Sequence, residues 1–176
     1  MGILIGNRIP RDFFVTKGVG ESDITVHAGS YHLALKQAGI EMCNIMTYSS
    51  ILPAKANKLN EPLPMTHGEV AETILSAYTA GRGEPATAGV IYGWLYDKET
   101  NERYGGLVCE RGESFDPDVM EEELRKSLNE LYVNGFDDKY DLRDIEVNIS
   151  SFTPKKKYGT ALVALVFQSY DIILRN

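Results

Sequence analysis

Helical periodicity occurs in only two stretches of this chain, 28–37 and 117–133, and strand-like sequence fills most of the rest. In the first stretch Tyr31, Ala34, Leu35 and Ala38 fall on one face, and Gly39 supplies a stop. In the second, Asp116 stands where an N-cap belongs and Pro117 takes the first helical position. Leu124, Leu128 and Leu131 form its apolar stripe, while Glu121-Glu-Glu123 lies toward the positive end of the helix as a solvated face. Two helices so far apart do not make a bundle. They can cover sheets, so the pattern predicts an α+β fold of stacked layers.

Strands are expected at 9–19, 43–52, 69–80, 86–97, 104–111, 145–152 and 161–167. The first is expected to enter a glycine turn at Gly18-Val-Gly20. Residues 54–66, rich in Pro, Asn and Lys, read as a loop, and 97–103 as the turn of a hairpin. The last two strands are almost continuously apolar, which predicts burial. No repeat, linker or low-complexity segment divides the 176 residues, so one domain, 1–176, is expected.

Charge narrows the range of partners. A formal net charge of −7 argues against nucleic acid, which requires a basic footprint. Lys155-Lys156-Lys157, beside Pro154, reads as a solvated turn. Cys43 and Cys109 each sit in an apolar run and read as buried thiols in a reducing compartment. The three histidines, His27, His32 and His67, are scattered, and no metal site is expected. The start of the chain lacks the pattern of a signal peptide or a myristoylation site, and no apolar stretch is long enough to span a membrane. A cytoplasmic protein with no membrane partner is the expectation.

Ser49 and Ser50 are the residues most suggestive of chemistry. They close the strand-like run Asn44-Ile-Met-Thr-Tyr-Ser49-Ser50-Ile-Leu-Pro53. The hydroxyl of Ser50 adjoins the carbonyl of Ser49, and in a strained turn it could attack that carbonyl and cut the chain. The pair by itself also fits a polar strand end turning at Pro53, and Ser150-Ser151 repeats it later. Glu110 reads either as an acid or as a strand-end carboxylate, exposed or paired with Arg111. Asn44 lies six residues before Ser50, on the same side of an extended strand, and is equally a polar strand start.

Several segments together resemble the pyruvoyl-dependent arginine decarboxylases: Gly18-Val-Gly-Glu-Ser22, Ala34-Leu-Lys-Gln-Ala-Gly-Ile40, the run from Asn44 to Pro53, Gly105-Gly-Leu-Val-Cys-Glu110, and Lys157-Tyr-Gly-Thr-Ala-Leu-Val-Ala-Leu-Val166. They follow the family's order over nearly the whole chain. The resemblance implies a four-layer α/β/β/α sandwich, assembled as a homotrimer or a dimer of trimers. It implies self-cleavage into 1–49 and 50–176, with a covalent pyruvoyl group made from Ser50 and neither pyridoxal phosphate nor metal. Such a carbonyl draws off the electrons left when an amino acid loses carbon dioxide, which no ordinary side chain can do.

By the same resemblance Glu110 is the proton donor and Asn44 an active-site amide. Ser49 ends as a carboxylate beside the substrate. His32 occupies a position where the family carries Asp, associated with the guanidinium of arginine. The expected reaction is arginine to agmatine and carbon dioxide, in polyamine biosynthesis. A different amino-acid substrate, with His32 as the motive, and an uncleaved binding or assembly subunit are the alternatives. Glu21 or Asp23 could replace the missing counter-charge.

Overall fold

The computed structural model describes residues 5–174. The expectations about a signal peptide and a myristoylation site concern residues 1–8, of which 1–4 lie outside that range. The described residues are mostly sheet, with two α-helices and one π-helical turn. Strand β1 (Ile5–Pro10) pairs antiparallel with the last strand, β11 (Tyr170–Leu174), so both ends of the chain meet in one ribbon. A five-stranded sheet has the order β3 (Asn44–Thr47), β6 (Val70–Gly81), β10 (Tyr158–Phe167), β2 (Asp12–Ser22) and β5 (Asn57–Lys58). A four-stranded sheet has the order β4 (Ile51–Pro53), β8 (Arg103–Glu113), β7 (Ala86–Asp97) and β9 (Tyr140–Phe152).

Three apolar clusters follow from these sequences. The first combines Phe13, Ile74, Val163 and Leu165 of the five-stranded sheet with Val90, Trp94 and Val108 of the four-stranded one. A second joins Ala34, Leu35 and Ala38, from helix α1 (His32–Gln37) and its end, to Phe14, Leu162 and Val166. The third packs Met120, Leu124 and Leu128 of helix α2 (Pro117–Val133) on Ile91, Leu95 and Leu107. Strand alternation sends successive side chains of β10 into different clusters, which is why 161–167 reads as a continuous apolar run.

Both expected helices form. A π-helical turn (Val26–Tyr31) leads into α1, and Gly39 adopts φ +74° after it, a conformation that suits glycine. Helix α2 has the expected bounds, and Leu131 is only partly buried. Asp116 makes no side-chain cap bond, so Pro117 is the signal that holds at this start. Glu121 and Glu122 pair with Arg125 and Lys126 on the solvent face.

Several expectations fail. The strand expected at 9–19 is broken at Arg11 between β1 and β2, and 145–152, expected to be buried, falls in β9, where Ser150 is the buried residue and Ile145 is exposed. Gly18 and Gly20 make no turn and lie inside β2. A Cβ on Gly18 would come 2.1 Å from the Ala34 carbonyl oxygen, and one on Gly20 would come 2.4 Å from that of Ser30. These glycines let the helical segment rest on the strand backbone. The strand expected over 43–52 is two strands, β3 and β4, in different sheets, because the chain leaves one sheet after Thr47 and enters the other at Ile51. Finally, the loop 54–66 contains the two-residue strand β5. The hairpin over 97–103 forms as expected, with the Asp97 carboxylate accepting the amides of Glu99 and Thr100.

Candidate active site

Ser49 and Ser50 form the crossing between the two sheets. On one side, the Tyr48 amide donates to the Thr73 carbonyl at 2.7 Å, which continues the β3–β6 pairing. On the other, the Val108 amide donates to the Ser50 carbonyl at 2.9 Å, which begins the β4–β8 pairing. Between them the Ile51 amide donates to the Ser49 carbonyl at 3.0 Å. That contact spans two residues and makes a γ-turn centred on Ser50. Among the described residues the non-glycine positions with positive φ are Asn101 and Asp144, so Ser50 carries no left-handed strain of the kind that could have made the expected turn a strained one. Here a donor aimed at the Ser49 oxygen stands in place of backbone strain.

The Gly105-Gly106 pair makes the crossing possible. A Cβ on Gly105 would lie 2.9 Å from the Leu52 carbonyl oxygen, and one on Gly106 would meet Leu52 and Trp94 at 3.1 Å. Strand β4 therefore lies directly on glycine backbone. Leu52 fills the inter-sheet cluster and is fully buried, whereas Ile51 points outward and is 55% exposed.

Glu110 lies on β8 two residues beyond Val108, in the strand interior rather than at its end. It sits opposite Val90, whose side chain faces the inter-sheet core. Alternation thus puts Glu110 on the face shared by Val108, and the Ser50–Val108 contact brings the two candidates to neighbouring rungs. By surface area Glu110 is exposed, but its neighbours still desolvate it and raise its carboxyl above the ordinary value. Arg111, its suggested partner, instead approaches Glu113 and Glu123.

Asn44 and His32 do not join this group within one chain. The Asn44 amide donates to the Gly68 carbonyl at 3.0 Å, at the far end of β3. With the strand broken after Thr47, the shared face assumed for Asn44 and Ser50 no longer follows. His32 opens α1 and is exposed. That helix packs on the side of the five-stranded sheet opposite the cluster that holds Leu52. Glu21 and Asp23 are both engaged. The Glu21 carboxylate accepts the amides of Lys155 and Lys156, which lower its pKa, and Asp23 accepts that of Lys157 and approaches Arg82.

The second serine pair is structural, since Ser150 donates to the Gly18 carbonyl and Ser151 bonds Thr87. Both cysteines are only partly buried, and burial pushes the Cys109 thiol up to about 11. Sequence reasoning missed Glu72, a carboxylate 3% exposed in the middle of β6. Its ion-pair partner, Arg8, lies 64 residues away in the chain, so no local pattern announced it.

The family profile of the pyruvoyl-dependent arginine decarboxylases matches residues 12–172. The chain is 33% identical to the pyruvoyl-dependent arginine decarboxylase AaxB of Chlamydia abortus, with 94% of each chain covered. It is 30% identical to that of Chlamydia pneumoniae over the same shares. Another relative, the pyruvoyl-dependent arginine decarboxylase of Methanocella arvoryzae, is 29% identical over 58% of this chain and 71% of its own. No helix among the described residues is long and apolar enough to cross a membrane.

Proposed function

Because this chain belongs to the pyruvoyl-dependent arginine decarboxylase family, we propose that it cuts itself between Ser49 and Ser50 and then converts arginine to agmatine and carbon dioxide. The observation that carries this reading is the γ-turn, in which the Ile51 amide contacts the Ser49 carbonyl across Ser50. Attack by the Ser50 hydroxyl on that carbonyl carbon forms a C–O bond and breaks the C–N bond. An ester and a free amine at residue 50 result. The Ile51 amide would meet the oxyanion that develops at Ser49, as a fixed donor.

Removal of the Ser50 α-proton then expels the Ser49 carboxylate. Tautomerisation, uptake of water and release of ammonia leave a pyruvoyl group at residue 50. The residues present suit such a group, because the Val108 amide already holds the carbonyl of residue 50 and does not depend on the severed bond. The two fragments, 1–49 and 50–176, would stay interleaved, since β2 pairs with β10, and β3 with β6. When formed, the pyruvoyl carbonyl supplies the electron sink for decarboxylation. Glu110, on the neighbouring rung, holds the proton that replaces carbon dioxide, and the Ser49 carboxylate lies beside the substrate.

We read the layers as an α/β/β/α sandwich and the working form as a homotrimer. Support comes from exposed apolar side chains along the edge where the serines lie: Met46, Ile51, Val70 and Tyr104, each half exposed or more. A second copy covering this edge would desolvate Glu110 further, and a neighbouring protomer could contribute Asn44 and His32 to the site. Another amino acid as substrate is the second reading. Histidine stands at position 32, and the carboxylates of Glu21 and Asp23 are already occupied. Assay of carbon dioxide and amine release from arginine, lysine, ornithine and histidine decides between the two. Release from arginine alone supports the first reading, and a preference for another amino acid supports the second.

A further inference from the structure

An arginine holds each end of the crossing that carries Ser49 and Ser50. Downstream, Arg103 donates from Nε to the Ala54 carbonyl at 2.7 Å and from Nη2 to the Ala56 carbonyl at 3.0 Å. Its guanidinium lies 4.1 Å from the ring centre of Trp94, so its plane is fixed as well. Arg103 opens the same strand whose glycines and Val108 amide receive β4. One strand thus grips the chain from residue 50 to residue 56.

Upstream, Glu72 and Arg8 form an ion pair, and Arg8 Nη2 lies 3.5 Å from the Tyr48 hydroxyl. The Arg8 guanidinium also sits 5.2 Å over the ring of Tyr170, from the opposite end of the chain. The Tyr48 ring lies 5.8 Å from that of Phe167, and its amide is bound to Thr73. Tyr48 is therefore fixed through ring, hydroxyl and backbone, one residue before Ser49.

This arrangement costs stability. Glu72 Oε2 and the Tyr170 hydroxyl are buried and have no hydrogen-bond partner among the described residues. A buried carboxylate paired on one side only is a poor source of stability compared with an apolar side chain of similar size. On its own face of β6 the next residue, Ile74, is apolar and buried, as is Phe167 directly opposite on β10, so the fold by itself would accept an apolar residue there. What Glu72 does supply is a fixed charge against which Arg8, and through it Tyr48, is located.

We propose that Arg103 and the Arg8–Glu72 pair are positioning residues for self-cleavage, holding the two ends of the crossing so that the Ser50 hydroxyl stays over the Ser49 carbonyl. The proposal rests on the self-processing reading. A hydroxyl and a carbonyl in adjacent residues react only from a narrow range of torsions. A displacement of about 1 Å can cost roughly a hundredfold in rate. Release of either end would let the γ-turn open without unfolding the domain.

The test is the rate at which freshly translated precursor becomes two fragments, with the melting temperature of each variant alongside. Arg103→Met and Arg8→Met remove the anchors, and Arg103→Lys and Arg8→Lys keep the charge. In Arg8→Met/Glu72→Gln no unpaired charge is left buried. Leu128→Ala, a core truncation on α2 in a cluster that holds none of the partners of either arginine anchor, is the control for lost stability. Each methionine variant is expected to cleave about tenfold or more slowly than Leu128→Ala at equal folded fraction, with partial recovery in the lysine variants. The double variant should regain melting temperature and remain slow. Cleavage that simply follows melting temperature across the set, or a double variant that regains both, would overturn the proposal. Should Arg103→Met not fold, Arg103→Lys decides by the same comparison. Wild-type precursor that never cleaves would overturn self-processing and this proposal together. Normal wild-type cleavage with unaffected anchor variants would overturn this proposal alone.

Discussion

The amide of Ile51 donates to the carbonyl of Ser49 at 3.0 Å, across the single residue Ser50. On the proposed self-cleavage, nucleophile, target and oxyanion donor would lie in three consecutive residues. Replacing Ile51 by its α-hydroxy analogue through nonsense suppression removes the N–H and leaves the side chain. We expect cleavage to slow roughly a hundredfold, as when one oxyanion donor is lost. Ile51→Val should cleave normally. Equal rates in all three would show that the amide takes no part.

Glu110 gives a pH-dependent expectation. Its carboxyl is raised in the folded state by the desolvation its neighbours impose, so the fold binds this proton more tightly than the unfolded chain does. The resulting stability is fully present below the unfolded pKa and is lost as pH rises through the folded one. Turnover should fall over the same upward window, because the proton to be delivered is then absent. In processed Glu110→Gln, kcat should drop about a hundredfold or more and both slopes should flatten. Urea titration and kcat measured across pH give the two profiles. A processed Glu110→Gln enzyme with near-normal kcat would remove Glu110 from the chemistry.

Gly18 tests the packing of α1. An added methyl group would run into the Ala34 carbonyl, backbone that cannot step aside as a side chain can. Gly18→Ala should therefore destabilise by about 1–3 kcal/mol or more, read as a lower denaturation midpoint. A midpoint equal to wild type would mean that α1 does not rest on β2 as described.

His32 tests recognition apart from bond breaking. It lies on the opposite side of a sheet from the crossing, so His32→Asp should leave cleavage at Ser49-Ser50 unchanged. An added carboxylate complements a guanidinium, and kcat/KM for arginine should rise severalfold, chiefly through KM. If that value and the substrate ranking both stay unchanged, position 32 is outside the site in the assembled protein.

The elements that announced themselves did so through local chemistry. Pro117 marked the start of α2, Gly39 the end of α1, and the strand expected at 86–97 has those bounds as β7. Residues 43–52 misled because the switch between sheets at Ser49 has no breaker ahead of Pro53, so an apolar run looked like one strand. Gly18 and Gly20 misled because glycine serves close approach as well as turns. Arg8, Glu72 and Tyr170 were invisible, since their meeting depends on the pairing of the two chain ends. At the candidate site, the adjacency of Ser50 and Glu110 rests on the β4–β8 register, which sequence did not disclose.

The most direct test is the intact mass of the purified, folded protein under denaturing conditions. The account requires two species, residues 1–49 ending in a carboxylate and residues 50–176 without an ordinary amino terminus, and a single full-length species for Ser50→Ala. Folded, active wild-type protein with the mass of an uncut chain would contradict it.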